Sequence, residues 1–189
     1  VKQGEFKAVR QATQNWVDTF VVGMNLCPFA KREVVNNRLA LVVSEATSEQ
    51  DLLEDLEAEL LRVLQNQAIE TSLLIHPLVL THFFDYNQFL FLVDELLISM
   101  ELDGVIQVAS FHPDYQFGGS QVDDPDNYTN RSPYPMLHLI RESSLERAID
   151  SHPDVAGIPQ RNIELMQAMG SQKIKLLLQA CFETSRHTD

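Results

Sequence analysis

Basic residues are scarce in this chain. Its 189 residues hold 14 lysines and arginines against 27 aspartates and glutamates, a formal net charge of −13. That balance argues against nucleic acid and against anionic membrane surfaces as partners, since both attract proteins mainly through cationic patches. Cysteine is scarcer still. Cys27 and Cys181 lie far apart with no Cys-x-x-Cys spacing, so a disulfide framework is excluded and a reducing, cytoplasmic location is expected. The longest apolar stretch, residues 89–100, is interrupted by Asp94 and Glu95 and is too short to span a bilayer. The first residues lack the pattern of a signal peptide. Neither glycine-rich phosphate loop, GxxxxGK[ST] nor GxGxxG, occurs, and no HExxH or EF-hand spacing is present.

What the chain does have is apolar content. Hydrophobic residues make up 44%, enough for a sizeable core and for one domain over residues 1–189. The 3.6-residue spacing of Phe6, Val9, Thr13, Trp16, Val17 and Phe20 predicts a first helix ending near Gly23. Strands are expected at 39–45, 71–75 and 105–111. Between them lie a helix capped by Ser48 and an almost wholly apolar helix over 83–100, expected to be well buried. This gives an α/β fold: a helix, then β-α-β-α-β forming a small, mostly parallel sheet with covering helices. Residues 114–135 are a long polar loop. Pro135 is expected to open a helix running through His138 and Arg141 to about 149. The C-terminal tail is expected to be helical, closed at Gly170 and restarted with Ser171 as a cap.

Two expected strands end in the same dipeptide, His76-Pro77 and His112-Pro113. Parallel strands would bring both imidazoles to one sheet edge, where open α/β sheets bind ligands. His112 is followed by Asp114 and Tyr115, a carboxylate and a phenol next to a candidate general base. Asn127, Asn130 and Arg131 supply amides and a guanidinium fork, which suit a carboxylate or phosphate. His138 and Arg141, three apart on the expected helix, would share a face with that site. The competing use of these arginines is ion pairing with the acidic run 123–126. Cys27, before Pro28 and near Lys31 and Arg32, is a candidate for a lowered pKa, against the ordinary role of a small buried hydrophobe.

Three stretches carry a family resemblance: residues 23–30 (GMNLCPFA) with Trp16-Val17, residues 104–115 (GVIQVASFHPDY) and residues 127–138 (NYTNRSPYPMLH). The chain resembles an uncharacterised bacterial family, a domain of unknown function numbered fourteen-fifteen. The resemblance implies one self-contained domain and brings no activity.

The leading expectation is an enzyme, a hydrolase or transferase, that acts on a small anionic substrate by histidine acid-base chemistry. His112, Asp114, His76 and His138 are the catalytic candidates. Tyr115, Asn127, Asn130, Arg131, Arg141 and Cys27 are the binding candidates. The alternatives are a non-catalytic module for a metabolite or protein, and a metal-dependent hydrolase using His76, His112, Asp114 and His138 as ligands. No cofactor or oligomeric state is read from the sequence.

Overall fold

Four strands form one sheet in the order β1-β2-β4-β3, where β1 is Leu39–Val43, β2 Thr71–Ile75, β3 Ile106–Phe111 and β4 Met136–Arg141. The structure is a computed structural model and describes residues 3–183. β1 and β2 pair in parallel, and β4 runs antiparallel to both β2 and β3. The three expected strands therefore do point the same way. The sheet as a whole is nevertheless mixed, which corrects the expectation of a mostly parallel one.

The cause is β4. Residues 136–141 were expected to be helical, because methionine, leucine and arginine favour helix and Pro135 suits a first turn. Their environment decides otherwise. Between β2 and β3 lies a slot with unpaired edges on both sides, and a strand filling it satisfies both ladders at once. Tyr134 precedes Pro135 and Ser132 precedes Pro133, and each position before proline is biased towards extended backbone. The helix begins only at Glu142.

Helices cover both faces. Among the described residues they are α1 (Gln3–Trp16), α2 (Ala30–Val35), α3 (Glu49–Gln65), α4 (Phe83–Ser99), α5 (Glu142–Asp150), α6 (Ile158–Met169) and α7 (Ser171–Ala180). Along β4, Leu137 and Leu139 pack with Leu56, Leu60, Phe89 and Val93 of α3 and α4. Met136 points the other way, into a core with Trp16, Phe20, Met166 and Ile174. Alternate residues of one strand thus serve two cores. Ser48 caps α3 as expected, its hydroxyl accepting from Asp51 N–H at 3.1 Å. At the last helix the cap position is Gly170, at φ +75°, and Ser171 is already inside the first turn.

Two further departures matter. The first helix does not stop as an ordinary α-helix: residues Val17–Gly23 widen into a π-helix. A Cβ at Gly23 would lie 2.8 Å from the Asp18 carbonyl oxygen, so the wide turn needs glycine there. And α4 buries one side only. Tyr86, Phe89 and Val93 are inaccessible, while Phe84, Phe91 and Ile98 stand exposed, because a helix lying on a sheet hides only its sheet-facing side. No helix among the described residues is long and apolar enough to cross a membrane.

Candidate functional site

β2 and β3 run in the same direction on either side of β4, so His76 and His112 do reach one edge of the sheet, and both are fully buried there. Tyr86 lies against both rings, at 5.8 Å from His76 and 5.1 Å from His112 between centroids. His76 Nδ1–H donates to the Val79 carbonyl at 3.0 Å. His112 Nε2–H donates to the Leu80 carbonyl at 3.1 Å, and its Nδ1 accepts from the Asp114 backbone N–H at 3.0 Å. Consecutive carbonyls of the β2–α4 loop are therefore held by consecutive strand ends. Leu80 sits at φ +56°, a left-handed conformation that costs a leucine about 1–2 kcal/mol, and the two imidazoles secure it. Asp114 orients His112 through its main chain.

The polar residues of the long loop are likewise engaged with backbone. The Asn127 side-chain oxygen accepts from Phe117 N–H and the Ser120 hydroxyl, and its amide donates to Gln121 O. The Asn130 amide donates to Ser110 O. Arg131 donates to Tyr115 O at 3.1 Å and Val122 O at 2.7 Å, and its guanidinium lies 4.5 Å from the Tyr128 ring centroid. The Tyr115 ring packs between Phe83 and Phe117. The acidic run finds other partners, Asp123 with Lys175 and Asp126 with Gln167.

Arg141 is remote from this edge. It donates to Ile69 O, Asn66 O and Val63 O, the carbonyls at and just beyond the C-terminus of α3, where a cation is favoured. His138 and Arg141 do not share a face: on a strand, residues three apart point to opposite sides.

His138 points instead into a cavity of about 270 Å³ on the other face of the sheet, and Cys27 lines the same cavity. Its floor is Leu39 of β1, Thr71 and Leu73 of β2, His138 and Ile140 of β4, and Ala109 and Phe111 of β3. Ala109 is the register partner of His138 on β3, and its small side chain leaves room beside the imidazole. Trp16, Val17 and Val21 form one wall, the last two from the π-helix, a distortion that recurs at functional sites. Cys27, Phe29, Ala30 and Val34 form a second wall, and Leu145 and Ala148 of α5 a third.

The lining is mostly apolar, and its polar members are His138, Thr71, Glu33, Glu70 and Ser144. Thr71 Oγ1 lies 2.9 Å from Leu139 O and 2.6 Å from His138 Nε2. When the hydroxyl proton points to Leu139 O, Nε2 carries the ring proton and donates it to Thr71; when it points to Nε2, the ring proton sits on Nδ1. In either tautomer Nδ1 has no hydrogen-bond partner among the described residues. Burial lowers the His138 pKa from 6.5 to about 4, so the ring is neutral near pH 7. Burial also raises the Cys27 thiol above its ordinary value, which outweighs the opposing amides of Phe29 and Ala30. The cations near Cys27 in sequence therefore do not make it a thiolate.

Phe29, Glu33, Ser144 and Ala148 border both this cavity and an adjoining polar cleft of about 180 Å³ lined by Arg32, Arg38, Arg147 and His152. The sequence reading missed this cleft, as it missed Thr71, Ala109 and Phe111. Arg32 beside Cys27 and a third His-Pro dipeptide, His152-Pro153, are the cleft's signals in the sequence. Among the described residues no group of three or more His, Cys, Asp or Glu is placed to hold a metal ion.

No curated protein and no solved structure matches the chain. A family model does match, over residues 8–176, and the chain belongs to that family, described as Protein of unknown function (DUF1415).

Proposed function

We propose that the chain is an enzyme acting on a small anionic substrate, a carboxylate or phosphate, by histidine acid-base chemistry in the cavity over the sheet. His138 is the acid-base group. Thr71 positions it by holding Nε2–H, and Cys27 borders the bound substrate. The observation that carries this reading is the unengaged Nδ1 of His138, on a ring that lines a mostly apolar cavity; the reading takes the Nε2–H tautomer, which leaves Nδ1 its lone pair. A neutral imidazole in such a place can accept a proton from a bound reactant and return it, and burial keeps the base from being protonated by water at pH 7. His112, Asp114 and His76 keep a supporting part, since their strand ends fix the edge from which β4 and His138 are registered.

The test is a panel of esters, thioesters and amides of small carboxylic acids, together with phosphate monoesters, run on the unmodified chain and on His138→Gln. Glutamine retains a donor for Thr71 and cannot act as a base. The expected result is turnover that falls at least about a hundredfold in His138→Gln while ligand still binds. Turnover unchanged by that substitution would remove His138 from the chemistry. Ligand binding with no turnover in either protein would favour the second reading, a non-catalytic metabolite-binding module, which the mostly apolar lining of the cavity also suits.

A further inference from the structure

The polar cleft at the cavity mouth is unusual for this molecule. The chain carries a formal charge of −13, yet three arginines gather at one opening. Arg38 is ion-paired at close range, 3.0 Å from Glu33 and 3.0 Å from Glu70. Arg32 and Arg147 are not. Their nearest carboxylates stand at 3.9 Å and 3.8 Å, the outer limit of an ion pair, and both side chains are mostly exposed. Three arginines face two glutamates, which leaves one net positive charge. His152 adds a donor: its Nδ1 accepts from Asp154 N–H at 3.2 Å, so the neutral ring carries its proton on Nε2. Phe29 borders both spaces, and its ring meets that of His152 edge-on at 5.7 Å.

Behind this mouth lies a room of the opposite character. A cavity of about 150 Å³ lined by aliphatic and aromatic groups accepts benzene and stays dry. Here the volume is about 270 Å³, lined by Trp16, Val21, Leu73, Phe111 and Ile140 among others. An apolar body somewhat larger than a benzene ring fits it.

We infer that the ligand is an amphiphilic monoanion, a small carboxylate whose apolar body fills the cavity while its head group lies between Arg32 and Arg147. This rests on the cavity being the functional site and narrows its substrate class. A single net charge matches one carboxylate. A phosphate monoester dianion would leave one negative charge uncompensated beside Glu33 and Glu70. A neutral alcohol would leave that net positive charge unmatched. The polar head at the mouth and the apolar body within also place the middle of the ligand over His138.

Trp16 is the only tryptophan in the chain and lines the cavity, so its fluorescence reports occupancy. Three probes with one apolar body, octanoate, 1-octanol and octyl phosphate, are titrated into the unmodified chain at pH 7 and into the Arg32→Met/Arg147→Met double variant. The inference expects octanoate to bind at least about tenfold more tightly than either other probe. It also expects the double variant to lose that advantage while its affinity for 1-octanol stays the same. Equal affinity for octanoate and 1-octanol, or tightest binding of octyl phosphate, overturns the head-group assignment and leaves the cavity standing. If none of the three changes Trp16 emission, the cavity is not a ligand site and both readings fall together.

Discussion

The two ends of the sheet's chemistry make a useful pair. At the strand edge, reactive side chains are dense: two histidines, two asparagines and an arginine lie within one short region, yet nearly all of them are satisfied by backbone. On the cavity face, one imidazole stands among mostly aliphatic and aromatic groups and keeps a ring nitrogen unengaged. Among the described residues the edge has a single buried side-chain atom without a partner, His76 Nε2, and that ring has no accessible surface. Density of reactive residues therefore marks architecture here. Spare hydrogen-bonding capacity facing empty space is what marks a place for chemistry.

The sharpest separation of the two regions is by acid. Both His76 and His138 have pKa values lowered by burial to about 4, against about 6.5 when unfolded. As pH falls through that interval the unfolded chain takes up protons that the native rings refuse, so stability is full above about pH 6.5 and declines towards pH 4. Each ring contributes roughly 3 kcal/mol to that loss. Urea denaturation at pH 7 and pH 4.5 measures the slope. Octanoate bound near His138 should leave the His76 share unchanged, and His138→Gln should flatten only its own share.

A smaller effect is expected from Arg131→Ala. It deprives two loop carbonyls of their donor and removes a cation from the Tyr128 ring, which should cost about 3 kcal/mol of unfolding free energy. Octanoate affinity should hold in the folded fraction. A normal melting curve together with lost affinity would return the anion site to the loop. Arg141→Ala should cost about 1–2 kcal/mol through the lost C-terminal cap on α3, again with octanoate affinity retained. The smallest stability change belongs to Ala109→Leu. The added methyl groups enter the open cavity beside His138, so stability should move by no more than about 1 kcal/mol while octanoate binding is lost. Retained binding in that variant would place the ligand elsewhere.

These contrasts also explain what was legible in the sequence. Amphipathic periods, the Ser48 cap and the alternation of strands and helices marked α3, α4 and the first three strands, because there local preference and tertiary demand agree. β4 was hidden because Met136-Leu137-His138-Leu139-Ile140-Arg141 favours helix locally and only the gap between β2 and β3 makes it a strand. That one misassignment moved His138 and Arg141 onto a common face and so gathered an anion site at the loop. Arg131 and Asn127 looked like ligand groups because a side chain that binds backbone carbonyls has the same composition as one that binds substrate. Cys27 and His138 were both named as candidates, yet nothing along the chain says that they line one cavity. That meeting depends on how the π-helix and the turn at Pro28 settle over the sheet, and the arginine cleft depends on α2 and α5 both bordering it.

The central claim is that His138, and neither edge histidine, faces the ligand. Its most direct test is the two-bond ¹H–¹⁵N spectrum of uniformly ¹⁵N-labelled protein, recorded at pH 7 with and without saturating octanoate. The account expects His138 to appear as the neutral Nε2–H tautomer, with its Nδ1 resonance shifted by octanoate and those of His76 and His112 unmoved. A shift at His112 or His76 with His138 unchanged would contradict it.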